Sequence, residues 1–113
     1  MLKLLYAIVL LGWMGSASAA GAVENATIIE ISLNRNYGEY AFIRMSQSPT
    51  GAPECSTNGY WHFTLPLDSA IGKELYAILL TAMAARIPVI AVGLGVCTEQ
   101  GTVESLAALN PKP

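Results

Sequence analysis

One stretch of the chain decides the fold: residues 60–92 read YWHFTLPLDSAIGKELYAILLTAMAARIPVIAV. Apolar and polar side chains alternate at its start, which predicts a strand over 60–65 that Pro66 ends. The side chains on one face of this strand are apolar, and we expect them in the core: Trp61, Phe63 and Leu65.

A helix is predicted directly after this strand. Asp68 or Ser69 offers the oxygen that caps its first turn, and Pro88 prevents much extension beyond about Arg86. One apolar stripe is expected to face the core: Ile71, Leu75, Ile78, Leu79 and Ala82. Three more side chains widen the apolar arc past the ~100° that a helix with one buried side needs: Tyr76, Leu80 and Met83. Either the helix is covered on a second side, or these three residues contact another copy of the chain.

The remaining strands are predicted on both sides of this stretch. Alternation over 29–34, turn-forming residues at 34–38 and a second apolar pattern over 39–47 indicate a hairpin. The segment 88–92 is apolar on both faces, as in a central buried strand. The segment 102–109 suits either a strand or a helix, and we expect a strand because the preceding one would otherwise have an unpaired edge.

The predicted order is therefore three strands, one helix and two strands, β-β-β-α-β-β. This mainly β fold with one helix (β+α) has the order of the five-stranded oligonucleotide/oligosaccharide-binding (OB-fold) barrel, whose helix lies between the third and fourth strands. We predict a single OB-fold-like domain over residues 20–113, with one disulfide.

The first residues have the pattern of a secretory signal peptide. Lys3 precedes an apolar run over 4–14, and Ala17 and Ala19 occupy the alternate positions that a signal peptidase reads. The predicted signal peptide is 1–19, with the cut after Ala19. Its apolar run is shorter than the about 20 residues of a membrane span, so we expect an exported, periplasmic or secreted protein with no membrane span.

The composition of residues 20–113 excludes several functions. Without Lys3, five basic side chains remain against eight acidic ones, a formal charge of −3. Such a chain has no electrostatic attraction for nucleic acid, so no nucleic-acid partner is expected. Its 94 residues are too few for a two-domain enzyme with a cleft between domains.

Cys55 and Cys97 are the only two cysteines and are predicted to form a disulfide, because an even count in a small exported domain indicates a bridge. The alternative is a catalytic thiol at Cys97 assisted by His62, the only histidine. A zinc site lacks closely spaced ligands, so we predict no metal and no cofactor.

The chain from Cys55 onward resembles a family of small exported proteins, the B subunits of subtilase-cytotoxin and pertussis-type toxins. The features that carry the resemblance are Trp61 and Phe63, the helix over 72–82, Ile87-Pro88-Val89 and Gly93-Leu94-Gly95-Val96-Cys97. The resemblance implies a barrel closed by the Cys55–Cys97 disulfide and assembled as a ring through its helix, which would give Tyr76, Leu80 and Met83 an apolar partner. No sugar-binding residue of those toxins matches a position here.

Six polar and aromatic residues are candidates for ligand binding. Tyrosine combines a flat apolar face with a hydroxyl, which suits a sugar, and charged side chains add strong hydrogen bonds. The candidates are Tyr37, Tyr40, Tyr60, His62, Arg44 and Glu99. A structural alternative stays open, in which these tyrosines only cover a small barrel.

Three functions follow from these observations. The first is a non-enzymatic binding module for a glycan or protein that forms a homo-oligomer through its helix. The second is a monomeric periplasmic inhibitor or accessory protein that uses the loops 48–59 and 96–102. The third is a hydrolase that uses His62 with Glu99 or a free Cys97.

Overall fold

Six strands and one helix make up the computed structural model, which describes residues 19–112; residues 1–18, almost all of the predicted signal peptide, and residue 113 lie outside the described part. The elements are β1 (Ala22–Ala26), β2 (Ile28–Leu33), β3 (Tyr40–Met45), β4 (Phe63–Pro66), α1 (Ala70–Ala85), β5 (Val89–Gly93) and β6 (Glu104–Pro111).

The strands form one curled, half-barrel sheet in the order β1-β5-β6-β4-β3-β2. Every neighbouring pair is antiparallel except β4 and β6, which run parallel. The two outermost strands, β1 and β2, are consecutive in the chain and are separated only by Thr27. The segment 22–33 therefore pairs with β5 at one end and with β3 at the other.

The prediction of a mainly β fold with one helix and one disulfide is confirmed, but the count of five strands was wrong. The sixth strand is β1, which pairs with β5. Only Val23 and Ala26 of its five residues are buried, so its sequence lacks the apolar alternation that reveals a strand. The ambiguous segment 102–109 is confirmed as strand, since β6 covers 104–111.

The third predicted strand begins later than its sequence suggests. β4 starts at Phe63 and not at Tyr60. The reason is Asn58, whose side-chain oxygen accepts hydrogen bonds from the backbone N–H groups of Tyr60 at 2.9 Å and Trp61 at 2.8 Å. Both donors are occupied by this local turn and do not enter the sheet.

The helix lies against the inner face of the sheet. Ser69 caps it by accepting a hydrogen bond from the backbone of Gly72 at 3.1 Å, and Arg86 ends it in the left-handed conformation. The predicted core stripe is confirmed at three positions (Leu75, Leu79 and Ala82), and Ile78 is partly buried against the same core. Ile71 was wrongly assigned, because it is 62% exposed. Gly72 is the buried residue of the first turn, where a Cβ would overlap the carbonyl oxygen of Pro66.

The first predicted strand also differs in which side chains it buries. A register shift between Ile28 and Glu30 turns Ile28 inward, while Ile29 is 44% exposed. Beyond this bulge Ile31 packs against the core, and Leu33 at the strand end is exposed. The extra residue of a bulge reverses the inside–outside alternation that a regular strand keeps.

Two apolar clusters lie on opposite faces of the sheet. The larger one contains the inner faces of the strands and the helix, including Phe63 and Leu65. The smaller one, on the outer face, consists of Tyr40, Phe42 and Val103 with Trp61 packed against it. The prediction that Trp61 shares a core with Phe63 and Leu65 was therefore wrong. Trp61 precedes β4 and lies in an irregular segment, so it does not follow the alternation of that strand.

Candidate ligand-binding site

β3 positions the side chains of the candidate site by simple alternation. Ala41, Ile43 and Met45 are buried towards the core, whereas Phe42 and Arg44 lie on the opposite face. Phe42 pairs with Ser32 of β2 and with Thr64 of β4, so it lies in the middle of the outer face of the sheet.

A row of aromatic rings crosses this outer face. Phe42 is at the centre, with ring centroids 5.7 Å from Tyr37 and 5.3 Å from Trp61, and Trp61 is 4.9 Å from Tyr60. The two ends of the row, Tyr37 and Tyr60, are 59% and 47% exposed. We call these four residues the aromatic face. Its rings contact each other at the distances typical of favourable aromatic pairs.

A cleft of ≈ 310 Å³ opens beside the aromatic face, lined by Ser32, Tyr37, Phe42, Asn58, Trp61 and Gln100. The two amide side chains of the cleft have their oxygens occupied within the protein. Asn58 Oδ1 accepts from two backbone N–H groups, and Gln100 Oε1 accepts from the backbone N–H and the hydroxyl of Thr102, both at 2.6 Å. Their NH₂ groups are therefore what each amide offers to a ligand. Neither residue is among the candidates predicted from the sequence.

A polar group lies at the Tyr60 end of the aromatic face. The Tyr60 hydroxyl donates to Glu30, and Arg44 donates to the same hydroxyl at 3.3 Å. Arg44 Nη1 is also 3.7 Å from Glu30 Oε1, and the guanidinium lies 4.5 Å from the centre of the Tyr60 ring. An exposed pair of this kind stabilises the fold little, but together these contacts hold Tyr60 in one orientation.

His62 is half-buried and serves the backbone. Its Nδ1 accepts a hydrogen bond from the backbone N–H of Met45 at 3.0 Å. Burial, followed by the positive charge of Arg44, lowers the pKa of His62. The histidine is therefore neutral at pH 7, and Nδ1 is the acceptor atom.

Tyr40 and Glu99 are not among the residues that line the cleft. Tyr40, predicted at the surface, is only 9% exposed and belongs to the smaller apolar cluster. Its burial, and then the charges of Tyr37 and Glu99, raise the pKa of Tyr40. Glu99 accepts a hydrogen bond from the hydroxyl of Thr64 at 3.1 Å. His62 and Glu99, the pair predicted for a hydrolase, are therefore each bonded to another residue, Met45 and Thr64 respectively.

The two cysteines are bonded to each other. Cys55 and Cys97 form the predicted disulfide, so Cys97 has no free thiol for catalysis.

Tyr76 and Met83 are partly buried and pack against the core of their own chain, whereas Leu80 is 46% exposed. Part of the apolar surface of Tyr76 and Met83 is therefore covered within the chain, whereas Leu80 faces outward.

One buried carboxylate was missed. Glu104, which lies in the segment 102–109 and is not among the predicted candidates, has no exposed surface. Gly21 N donates to its Oε2 at 3.0 Å and to its Oε1 at 3.2 Å, and Gly95 N donates to Oε2 at 2.8 Å. The only sequence signal is the glycine at each surrounding position, since glycines let a backbone approach a side chain closely.

No family model, curated protein or solved structure matches this chain. Over residues 19–112, no helix is both long and apolar enough to cross a membrane. The same residues hold no group of three or more His, Cys, Asp or Glu side chains that could bind a metal ion.

Proposed function

We propose that the protein is an exported, non-enzymatic binding module that takes a glycan in the cleft beside the aromatic face. The observation that carries this proposal is the combination of exposed aromatic rings with two amide groups whose oxygens are already occupied. A sugar ring has an apolar C–H face that packs on an aromatic ring, and its hydroxyl and acyl oxygens accept hydrogen bonds.

The cleft favours a short, neutral glycan. Its volume of ≈ 310 Å³ is near the lower end of the about 300–1,000 Å³ range of ligand pockets. The six lining side chains carry no charge, and the nearest ion pair, Arg44 with Glu30, is internally compensated. Asn58 and Gln100 donate, so the ligand has to supply acceptors.

The strand order supports an OB-type barrel as the framework of this module. If β1 and β2 are counted as one long strand bent at Thr27, five strands remain in the order β-β-β-α-β-β. The parallel pairing of β4 with β6 and the helix between β4 and β5 then fit that barrel. A relationship to the B subunits of subtilase-cytotoxin and pertussis-type toxins is part of the same proposal.

Binding assays with one exposed aromatic residue changed test the glycan site. A glycan array identifies a ligand, and NMR titration then compares the wild-type protein with Tyr37→Ala and with Ile71→Ala as a control of similar exposure on the helix. Loss of one stacking ring is expected to weaken binding roughly threefold to tenfold. Equal binding by both variants, or a ligand that shifts only resonances of the helix, would count against the cleft.

A protein partner is the second candidate, and the loops 48–59 and 96–102 would bind it. The Cys55–Cys97 disulfide joins these loops, and the backbone N–H groups of Thr57 and Asn58 both donate to the Thr102 carbonyl at 3.0 Å. Such a rigid surface suits a monomeric inhibitor or accessory protein. A blank glycan array together with a single protein recovered from a periplasmic extract, and lost with substitutions in these loops, would favour this candidate.

Self-association through the helix is the remaining part of the proposal. Leu80 is exposed on α1, and an apolar groove of ≈ 220 Å³ lies on the same helix, lined by Ala77, Ile78, Thr81, Ala82, Ile87 and Pro111. Light scattering during size-exclusion chromatography measures the assembly. We expect an oligomer that Leu80→Glu dissociates, and a wild-type monomer at micromolar concentration would contradict it.

A further inference from the structure

Glu104 is a fully buried carboxylate, and within residues 19–112 its hydrogen-bond donors are all backbone amides. Both of its oxygens accept from Gly21 N, and Oε2 also accepts from Gly95 N. The surrounding glycines leave no room for larger residues: a Cβ on Gly21 would lie 2.5 Å from Oε1, and a Cβ on Gly93 would overlap the carboxylate. The backbone at Gly21 and Gly93 therefore packs directly against the Glu104 carboxylate.

The carboxylate has no cationic partner among residues 19–112, where the one ion pair within 4.0 Å is Arg44 with Glu30. Proteins ordinarily pair a buried negative charge with a cation, and Glu104 has only neutral amide donors among these residues. A positive group close to Glu104 would therefore be favoured strongly, because the surroundings are shielded from water.

The predicted processing of the chain would create such a group. A cut after Ala19 makes the nitrogen of Ala20 an α-ammonium. Three covalent bonds separate that nitrogen from Gly21 N, and their lengths add to about 4.3 Å. Since Gly21 N is 3.0 Å from Glu104 Oε2, the new ammonium begins no farther than about 7 Å from the carboxylate. Before the cut, the same nitrogen is a neutral amide.

We propose that the Glu104 carboxylate is the docking site for the N-terminal ammonium of Ala20, and that removal of the signal peptide completes the fold by forming this ion pair. The ammonium donates one hydrogen bond to a carboxylate oxygen beside Gly21. The pair fixes the start of β1, and through Gly95 it connects the new N-terminus to the loop that carries Cys97.

Few other charged groups are in a position to compete. Glu54 is the main one, because it lines a cleft of ≈ 490 Å³ beside the disulfide together with Ala19 and Gly95. Glu99 is engaged by Thr64, and Glu24 on β1 is exposed. β4 and β5, which flank β6, contain no titratable side chain. Glu54 is therefore the carboxylate that the experiment has to distinguish from Glu104.

NMR of the mature chain starting at Ala20 tests the proposal directly. The α-amino group is titrated in the wild-type protein, in Glu104→Gln and in Glu54→Gln. We expect a pKa above the ordinary range of about 7.7–8.0 in the wild-type protein and in Glu54→Gln, and an ordinary pKa in Glu104→Gln. An ordinary pKa in the wild-type protein, or a shift that only Glu54→Gln removes, would overturn the proposal.

Thermal unfolding gives a second test that does not depend on the folding of Glu104→Gln. The mature chain is compared with its Nα-acetylated form, which keeps Glu104 but has no ammonium. Because the pair raises the pKa of the amine, its contribution is complete below the unfolded pKa of about 8 and is lost as the pH rises through the folded value. We expect the acetylated form to unfold several degrees lower at pH 6.5, with the difference disappearing by pH 10.5. Equal melting temperatures at pH 6.5, or a difference that persists at pH 10.5, would contradict the ion pair.

Discussion

The Nδ1 atom of His62 accepts a hydrogen bond from the backbone N–H of Met45 at 3.0 Å. Met45 is the last residue of β3 and its side chain is buried in the main core, so this bond ties the segment before β4 to the end of β3. Only the neutral imidazole can accept it, since both nitrogens of a protonated ring are donors.

The protein is expected to lose stability in mild acid because of this bond. The pKa of His62 is lowered in the fold, so the unfolded chain takes up the proton first. The contribution is present above the unfolded pKa of about 6.5 and is lost as the pH falls from there through the folded value. Urea unfolding at pH 7.5 and pH 5 measures the loss, and His62→Gln should reduce the pH dependence. An NMR titration of His62 at or above its ordinary pKa would contradict this prediction.

Removal of the disulfide is expected to lower the free energy of unfolding substantially. The bridge joins residues 42 apart in sequence, for which the loop-entropy estimate is about 4 kcal/mol. Urea unfolding of Cys55→Ser/Cys97→Ser, compared with the oxidised and reduced wild-type protein, measures the effect. The reduced protein and the double variant should agree, and a loss below about 1 kcal/mol would show that the bridge does not hold the loops.

The sequence predicts the elements whose residues alternate or repeat regularly. The helix Ala70–Ala85 follows from a cap, an apolar stripe and a nearby proline, all of which are local signals. β1 was not predicted because its partners in β5 lie 63 to 70 positions away in the sequence, and its own residues show no period of two.

The candidate site is only partly visible in the sequence. Tyr37 and Tyr60 were predicted at the surface from their residue type, and both are exposed on the aromatic face. Tyr40 was misassigned, since its burial depends on Val103 from the other end of the chain. Asn58 and Gln100 were not predicted, because the atoms of each amide that remain available depend on the hydrogen bonds made in the fold.

Arg86→Gly is expected to stabilise the protein. Arg86 ends the helix with φ 56°, a left-handed conformation that costs a residue with a Cβ roughly 1 kcal/mol and glycine almost nothing. The matched control is Ala85→Gly, one residue earlier and still helical, which should destabilise by about 0.5–1 kcal/mol. Chemical unfolding measures the free energy of unfolding of both variants. Opposite changes indicate an effect of the left-handed conformation, whereas a general effect of glycine would change both values in the same direction.

Gly72→Ala is expected to destabilise the protein by about 2 kcal/mol or more, because the added Cβ would overlap the Pro66 carbonyl and shift the start of the helix. Gly59→Ala is the control, since a Cβ there meets no atom within 4 Å. Its effect should lie within about 1 kcal/mol of zero. Equal melting temperatures for the two variants would show that the helix start is not packed as described.

Asn58→Asp separates the structural role of this residue from its role in the cleft. Aspartate keeps the side-chain oxygen that binds the N–H groups of Tyr60 and Trp61, so the turn and the melting temperature should be preserved. It lacks the NH₂ donor and adds a negative charge, so glycan binding should weaken by about tenfold or more. Asn58→Ala is the contrasting variant, because it removes both functions and should lower stability as well as binding. If Asn58→Asp binds the glycan as tightly as the wild-type protein, the amide is not a ligand donor, and the cleft beside Trp61 does not hold the glycan in the way proposed.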